Sequence, residues 1–157
     1  MDEQTYLRLI SECERSLYRV SRSILWNDAD CADAVQQTIF KGWINLRQLH
    51  EAEKFKSWIM SILVNECRNL QRKNMRHANI VQALTDRIKV APAAKVKNME
   101  LEEALRELPE HYRLPILLHY MEGYPIKDIA KILDVNEKRV TERMYRGRRK
   151  LEEALKP

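Results

Sequence analysis

The sequence predicts an all-α protein of two small helical domains, a three- to four-helix N-terminal bundle and a C-terminal helix-turn-helix domain, joined by a flexible linker. Three observations predict this class. Apolar residues recur at steps of three and four through both ends of the chain. Glycine is scarce, three in 157 residues, while 32% of residues are charged, which favours helices over turn-rich sheets. Between residues 73 and 98 the periodicity fades, and six Lys or Arg stand against Asp86 alone, the composition of a basic connector. The expected boundaries are 1–75 for the first domain, 76–98 for the linker and 99–157 for the second.

Taken in order, residues 3–25 form a helix with Tyr6, Leu9, Ile10, Cys13, Leu17, Val20 and Ile24 on one stripe. Trp26-Asn27-Asp28 breaks it, with Asp28 a candidate cap for the next helix, 29–46, which buries Ala32, Val35, Ile39, Trp43 and Leu46. Residues 45–55 are polar and mixed in charge, hence a loop. A third helix over 56–73 has Phe55, Trp58, Ile59, Ile62, Leu63 and Leu70 on its apolar side. Within the linker, a short helix around 80–88 is compatible with the pattern. A short helix near 101–108 ends at Pro109, and another over 110–122 must accommodate Pro115 before Gly123 ends it.

The last stretch carries the clearest chemistry. Ile126, Ile129, Ala130 and Leu133 share one face of a short helix. Asp134-Val135-Asn136 breaks it, and Val140, Met144, Gly147 and Leu151 recur at helical spacing in a second helix. Asn136 is placed to cap that helix. Seven cations (Lys138, Arg139, Arg143, Arg146, Arg148, Arg149, Lys150) line it, with Glu142 the acid among them. A short helix, a tight turn and a basic second helix place a helix end in the DNA major groove. The alternative, a solvated basic face, lacks a reason for the turn and the first helix. Asn136, Lys138, Arg139, Thr141, Glu142 and Arg143 would then face base edges, where Arg contacts guanine and Glu accepts from cytosine N4. Arg146 and Arg148 lie further along, where phosphates are met.

Two other surfaces are less decided by composition. The third helix carries Asn65, Arg68, Asn69, Arg72 and Lys73 on its polar side, balanced between a nucleic-acid contact and an ordinary exposed face. The adjoining loop offers Asn45, His50, Lys54 and Phe55, residue types suited to holding an unstacked base. Asp33, Gln36, Gln37 and Lys41 on the second helix suit a plain solvated edge.

Composition excludes other classes. The net charge of +5 and pI of about 9.2 suit a polyanionic partner. No apolar run approaches the roughly 18 residues of a membrane span, and MDEQTYLRLI lacks the basic start of a signal peptide, so a cytoplasmic protein without membrane insertion is expected. Cys13, Cys31 and Cys67 form no metal-binding spacing and are expected as reduced thiols. With no Gly-rich phosphate loop, HExxH or GxSxG, and four scattered histidines, neither catalysis, a cofactor, a metal nor a small-molecule substrate is expected.

LYRVSRSIL (17–25), DADCADAVQQTIFKGW (28–43), FKSWIMSILVNECRNLQRK (55–73) and LPEHYRLPILLHYMEGYPIKDIAKILDVNEKRVTERMYRGRRKL (108–151) are similar to bacterial sigma factors of the two-domain extracytoplasmic-function type. The C-terminal part alone is also shared by LuxR-type regulators, and it is both parts in this order that make the match specific. The resemblance implies a factor that binds core RNA polymerase and directs it to promoter DNA, without a reaction of its own. It implies that the first domain binds the polymerase clamp through Asp33, Gln36, Gln37 and Lys41. It also implies that Asn65, Arg68, Asn69, Arg72 and Lys73 contact the −10 element, that the 45–55 loop captures a flipped base, and that the helix-turn-helix reads the −35 element. An anti-sigma factor is implied as a regulatory partner. The chain departs from the pattern at Gln37, where Glu is usual, at Asp134, where Gly is usual, and at Lys138-Arg139 and Glu142 in the recognition helix.

Overall fold

The computed structural model describes residues 1–84 and 100–157, and among them every regular element is helical. Helix α1 spans Glu3–Leu25, as the stripe predicts. Asp2 caps it by accepting from the Thr5 amide at 2.8 Å. Trp26 closes it in the left-handed region, at φ 60°.

Helix α2 spans Asp28–Ile44. Its cap is Asn27, not the expected Asp28, with the Asn27 side chain accepting from the Asp30 amide at 3.1 Å. The expected buried face is also rotated. Cys31, Ala34, Val35, Thr38 and Gly42 are buried, whereas Ala32 is exposed, Ile39 and Leu46 are half-buried, and Trp43 is 42% exposed. Small residues decide this. A Cβ on Gly42 would lie 2.6 Å from both the Ile59 Cδ1 and the Tyr6 hydroxyl, so glycine permits the close approach of α1 and α3. Thr38 is satisfied by donating its hydroxyl to the Ala34 carbonyl at 2.7 Å.

Two 3₁₀ turns, Leu46–Gln48 and Ala52–Lys54, occupy the expected loop. Helix α3 then runs over Phe55–Leu84, eleven residues past the expected end at residue 73. No proline or glycine interrupts it, and Asn74 donates to Asp30 on α2 at 3.0 Å. The first nine residues of the expected linker are therefore helical, including the first part of the tentative 80–88 helix, and the rest of the linker lies outside the described residues. The three helices pack around Tyr6, Leu17, Ile59 and Leu63, and the Tyr6 hydroxyl reaches the Ile39 carbonyl at 2.5 Å. Cys13, Cys31 and Cys67 are free and buried in this core, and burial pushes the Cys13 thiol up to about 11 and the Cys67 thiol up to about 12.

The C-terminal helices are α4 (Leu101–Glu107), α5 (Glu110–Ile116), α6 (Ile126–Leu133) and α7 (Glu137–Leu155). The expected single helix over 110–122 changes its winding after Pro115. Residues Leu117–Met121 form a π-helical turn, with Glu122 N donating to the Leu117 carbonyl. Gly123 ends it at φ 77°, as expected. The second unit is not separate from the first, since α6 packs on α3 and α5 on α1. This explains why α3 buries Met60, Val64 and Cys67 besides the expected stripe. Helices α1 and α2 flank it on one side and α6 covers another.

Candidate nucleic-acid interface

The helix-turn-helix is built by three local devices. Asp134 adopts the left-handed conformation (φ 55°, ψ 50°) in the place where glycine was to be expected. It ends α6 with the Val135 amide donating to the Ala130 carbonyl at 3.0 Å, the six-to-one bond of a Schellman ending. Asn136 then caps α7, its side-chain oxygen accepting from the Arg139 amide at 2.8 Å. Third, Val140, Met144, Gly147 and Leu151 are buried, all four as predicted. A Cβ on Gly147 would meet Ile116 Cδ1 at 2.6 Å and the Tyr112 carbonyl at 3.3 Å, so glycine sets how closely α7 lies on α5.

With that face buried, Lys138, Arg139, Thr141, Glu142, Arg146 and Arg148 are left exposed on the other. Thr141 donates its hydroxyl back to the Glu137 carbonyl at 3.1 Å. Arg148 donates to the Tyr120 hydroxyl at 2.9 Å and Arg149 to that of Tyr145 at 3.0 Å, which orients both guanidinium groups without neutralising them. Arg143 is the exception, being half-buried. Desolvation, reinforced by the nearby charges of Arg139 and Arg68, pushes its pKa down. Arg68 belongs to α3, so the charge of one candidate DNA surface acts on the other.

That second surface has Asn65, Asn69, Arg72 and Lys73 exposed and Arg68 half-buried. Arg72 donates to Asn69 at 2.6 Å. Beside it, the 3₁₀ turns and the start of α3 enclose a cavity of about 290 Å³ with His50, Lys54, Trp58 and Ser61 in its walls. Lys54 pairs with Glu51 at 3.4 Å. Lys131 of α6 also lines this cavity. Asn45 lies outside it and donates its side chain to the Lys41 carbonyl at 2.9 Å, at the end of α2. Phe55 differs from the expectation that it lies free in the loop. It is 4% exposed and packs edge-on against Tyr6 at 5.8 Å, so it belongs to the core and is not free to stack on a base. Trp58, half-buried at the cavity, is the aromatic that sequence reasoning assigned to the core alone.

On α2, Asp33, Gln36 and Gln37 are exposed. Lys41 is tied to Glu66 of α3 at 2.5 Å, so it braces α2 against α3. Next to them stand Phe40 at 60% and Ile44 at 59% exposure, which sequence reasoning missed as surface residues. The signal lay in the small residues at 31, 34 and 42, which fix the buried face and rotate Phe40 and Ile44 outward. An exposed apolar pair among short polar side chains is the composition of a protein-binding edge.

Comparisons with known proteins agree with this arrangement. The family model described as Sigma-70 region 2 matches residues 9–77, and that described as Sigma-70, region 4 matches residues 98–151. The RNA polymerase sigma factor SigV of Bacillus subtilis is 29% identical over 138 residues, covering 88% of this chain and 83% of that protein. The ECF RNA polymerase sigma factor SigM of Mycobacterium tuberculosis is 29% identical over 156 residues, covering 98% and 79%. Among solved structures, the sigma factor RpoE in complex with the anti-sigma factor NepR from Bartonella quintana superposes with a TM-score of 0.79, at 22% identity and 97% coverage of both chains. CnrH in complex with the cytosolic domain of CnrY superposes at 0.71, covering 97% and 88%. With region 2 followed by region 4 along most of its length, the chain belongs to the sigma-70 family.

Proposed function

We propose that this protein joins core RNA polymerase in the cytoplasm and selects promoters by reading the −35 element with α7 and the −10 element with α3 and the loop before it. The observation that carries the reading is the capped, basic outer face of α7 in the same chain as the exposed α2 edge. A helix held at its N-terminus by Asn136 presents Lys138, Arg139, Glu142 and Arg143 to a groove. Arg146 and Arg148, with Arg149, supply the phosphate contacts that fix register. The cavity beside Trp58 and His50 is roomy enough for a base turned out of the stack. Asp33, Gln36 and Gln37, with Phe40 and Ile44, form the edge that meets polymerase. Promoter opening needs no catalytic group in this chain, because binding energy within the complex drives it.

A regulator of the anti-sigma kind is the second partner. Where α1 meets α4, α5 and the π turn, a groove of about 680 Å³ is lined by Trp26, Leu101, Leu105, Leu117 and Met121, with arginines at its rim. Leu101 and Met121 are 56% and 63% exposed, which suits the apolar face of a partner helix.

Run-off transcription with core polymerase on promoter-bearing fragments tests the main reading, and discrete start sites that appear only with this protein support it. A stand-alone DNA-binding regulator would bind duplex tightly yet fail to co-purify with core polymerase. An inactive sigma-like adaptor would bind core without directing initiation.

A further inference from the structure

One arginine of α7 is held from outside its own helix. Arg148 stands about two and a half turns on from Arg139 and so leaves the opposite flank of α7. There its Nη1 donates to the hydroxyl of Tyr120, a residue of the π turn, at 2.9 Å. Tyr120 is 54% exposed, so the contact lies at the surface. Its ring is braced from behind. His119 packs edge-on against it, with ring centroids 4.9 Å apart and planes at 82°. His119 is fixed in turn by its Nδ1–H, which donates to the Tyr124 carbonyl at 2.9 Å. A carbonyl only accepts, and that sets the imidazole tautomer. A chain of contacts therefore runs from the backbone beyond the turn to the tip of Arg148.

The winding of the turn sets where Tyr120 stands. The Glu122 amide donates five residues back, to the Leu117 carbonyl at 3.1 Å, so the turn is one residue wider than an α-helical one. Leu118 stays buried, while Tyr120 and Met121 come out at the surface. The hydroxyl that receives Arg148 is neutral, so the guanidinium keeps its charge. That hydroxyl accepts, and its own proton stays available for a second acceptor. A guanidinium and a hydroxyl 2.9 Å apart, each with a donor to spare, match the neighbouring oxygens of one phosphate diester. Tyr145 holds Arg149 in a similar way at 3.0 Å, but both belong to α7, four residues apart, so that pair recruits no second element.

We propose that Tyr120 is a DNA-contact residue outside the recognition helix, whose hydroxyl grips one phosphate of the duplex together with the Arg148 guanidinium. The proposal rests on the reading of α7 as the helix that enters the groove. A phosphate carries no base identity, so the pair sets affinity and register and leaves base preference unchanged. Tyr120 acts in two ways. It donates to the phosphate, and it holds Arg148 in place before DNA arrives, which spares part of the cost of ordering a long side chain on binding.

The test uses the full chain, free and with core polymerase, as wild type, Tyr120→Phe, Tyr120→Glu, Arg148→Ala, and Tyr120→Phe combined with Arg148→Ala. Circular dichroism verifies that each remains helical. Fluorescence anisotropy measures binding across a salt series to labelled duplexes, one of random sequence and a set differing in their −35 bases. Tyr120→Phe removes one exposed oxygen and should weaken binding about threefold to tenfold on every duplex, with the salt dependence unchanged. Arg148→Ala should weaken binding further and flatten the logarithmic salt slope by about one. Tyr120→Glu should flatten it likewise, because its carboxylate neutralises Arg148. The double variant should bind little worse than Arg148→Ala alone, since the two groups act as one grip. Wild-type affinity in Tyr120→Phe overturns the grip, as does full additivity in the double variant or a loss confined to one −35 sequence. A wild type without salt-dependent duplex binding, free or with core polymerase, overturns the groove reading of α7 and the grip with it. A wild type that binds, matched by Tyr120→Phe, overturns the grip alone.

Discussion

Arg139 and Arg143 sit one turn apart on α7 in different environments. Arg139 is exposed, and Arg143 is half-buried and feels the charge of Arg68. Both point from the part of the helix proposed to enter a groove, where a bidentate arginine would discriminate bases. Arg143→Ala should weaken binding to a promoter duplex, and Arg139→Ala should shift base preference, each by about 1–3 kcal/mol per lost contact. Anisotropy titrations on a set of −35 variants check this. Glu142 stands exposed between them and, on the proposed reading, would extend the readable set to cytosine. These side chains were legible in the sequence because the cap, the turn and the buried stripe leave one face for them. Phe55 was not. Its neighbour Trp58 lies on the same apolar side, and only packing against Tyr6 decides which ring goes inward.

At the scale of elements, local signals and long-range packing divide the outcome. Helix α1 and the α6-turn-α7 unit follow their sequence patterns, since long apolar side chains at regular steps mark the buried face without ambiguity. Asn136→Ala should cost about 1 kcal/mol by leaving the first turn of α7 without its cap, visible as a lower thermal midpoint. Helix α2 contradicted its apparent stripe because Cys31, Ala34, Thr38 and Gly42 fill its buried face. Short side chains give a weak periodic signal even where packing is tightest. Gly42→Ala should therefore destabilise the first bundle by about 1–3 kcal/mol, as a crowded Cβ displaces the Tyr6 hydroxyl from Ile39 and outweighs the gain in helix propensity. Denaturant unfolding measures it. The extension of α3 to Leu84 escaped the sequence for the opposite reason. Met75 and Ile80 are 61% exposed, so the last turns of α3 lack the apolar stripe by which a helix is recognised.

At the scale of the whole molecule, the docking of region 4 on region 2 had no local signature. Arg19 and Glu122 are 103 positions apart, and nothing in either neighbourhood marks them as partners. Their pairing has a pH consequence. Burial alone would raise the Glu122 pKa, but hydrogen bonds from Arg19 and Ser16, with the charges of Arg19 and Lys56, hold it below its ordinary 4.5. A carboxyl depressed in the docked arrangement contributes stability that is present above the ordinary value and is lost as pH falls through the depressed one. Scattering should therefore show the chain expanding below about pH 4.5 in wild type, with Glu122→Gln already expanded at neutral pH and losing that acid step.

On the proposed reading, one chain binds polymerase and reads a promoter. Run-off transcription with purified core polymerase on fragmented genomic DNA, followed by mapping of start sites, tests it most directly. Discrete start sites should appear that depend on this protein, share a common upstream element and weaken with Arg143→Ala. Retention of core polymerase and DNA binding without any protein-dependent start site would contradict it.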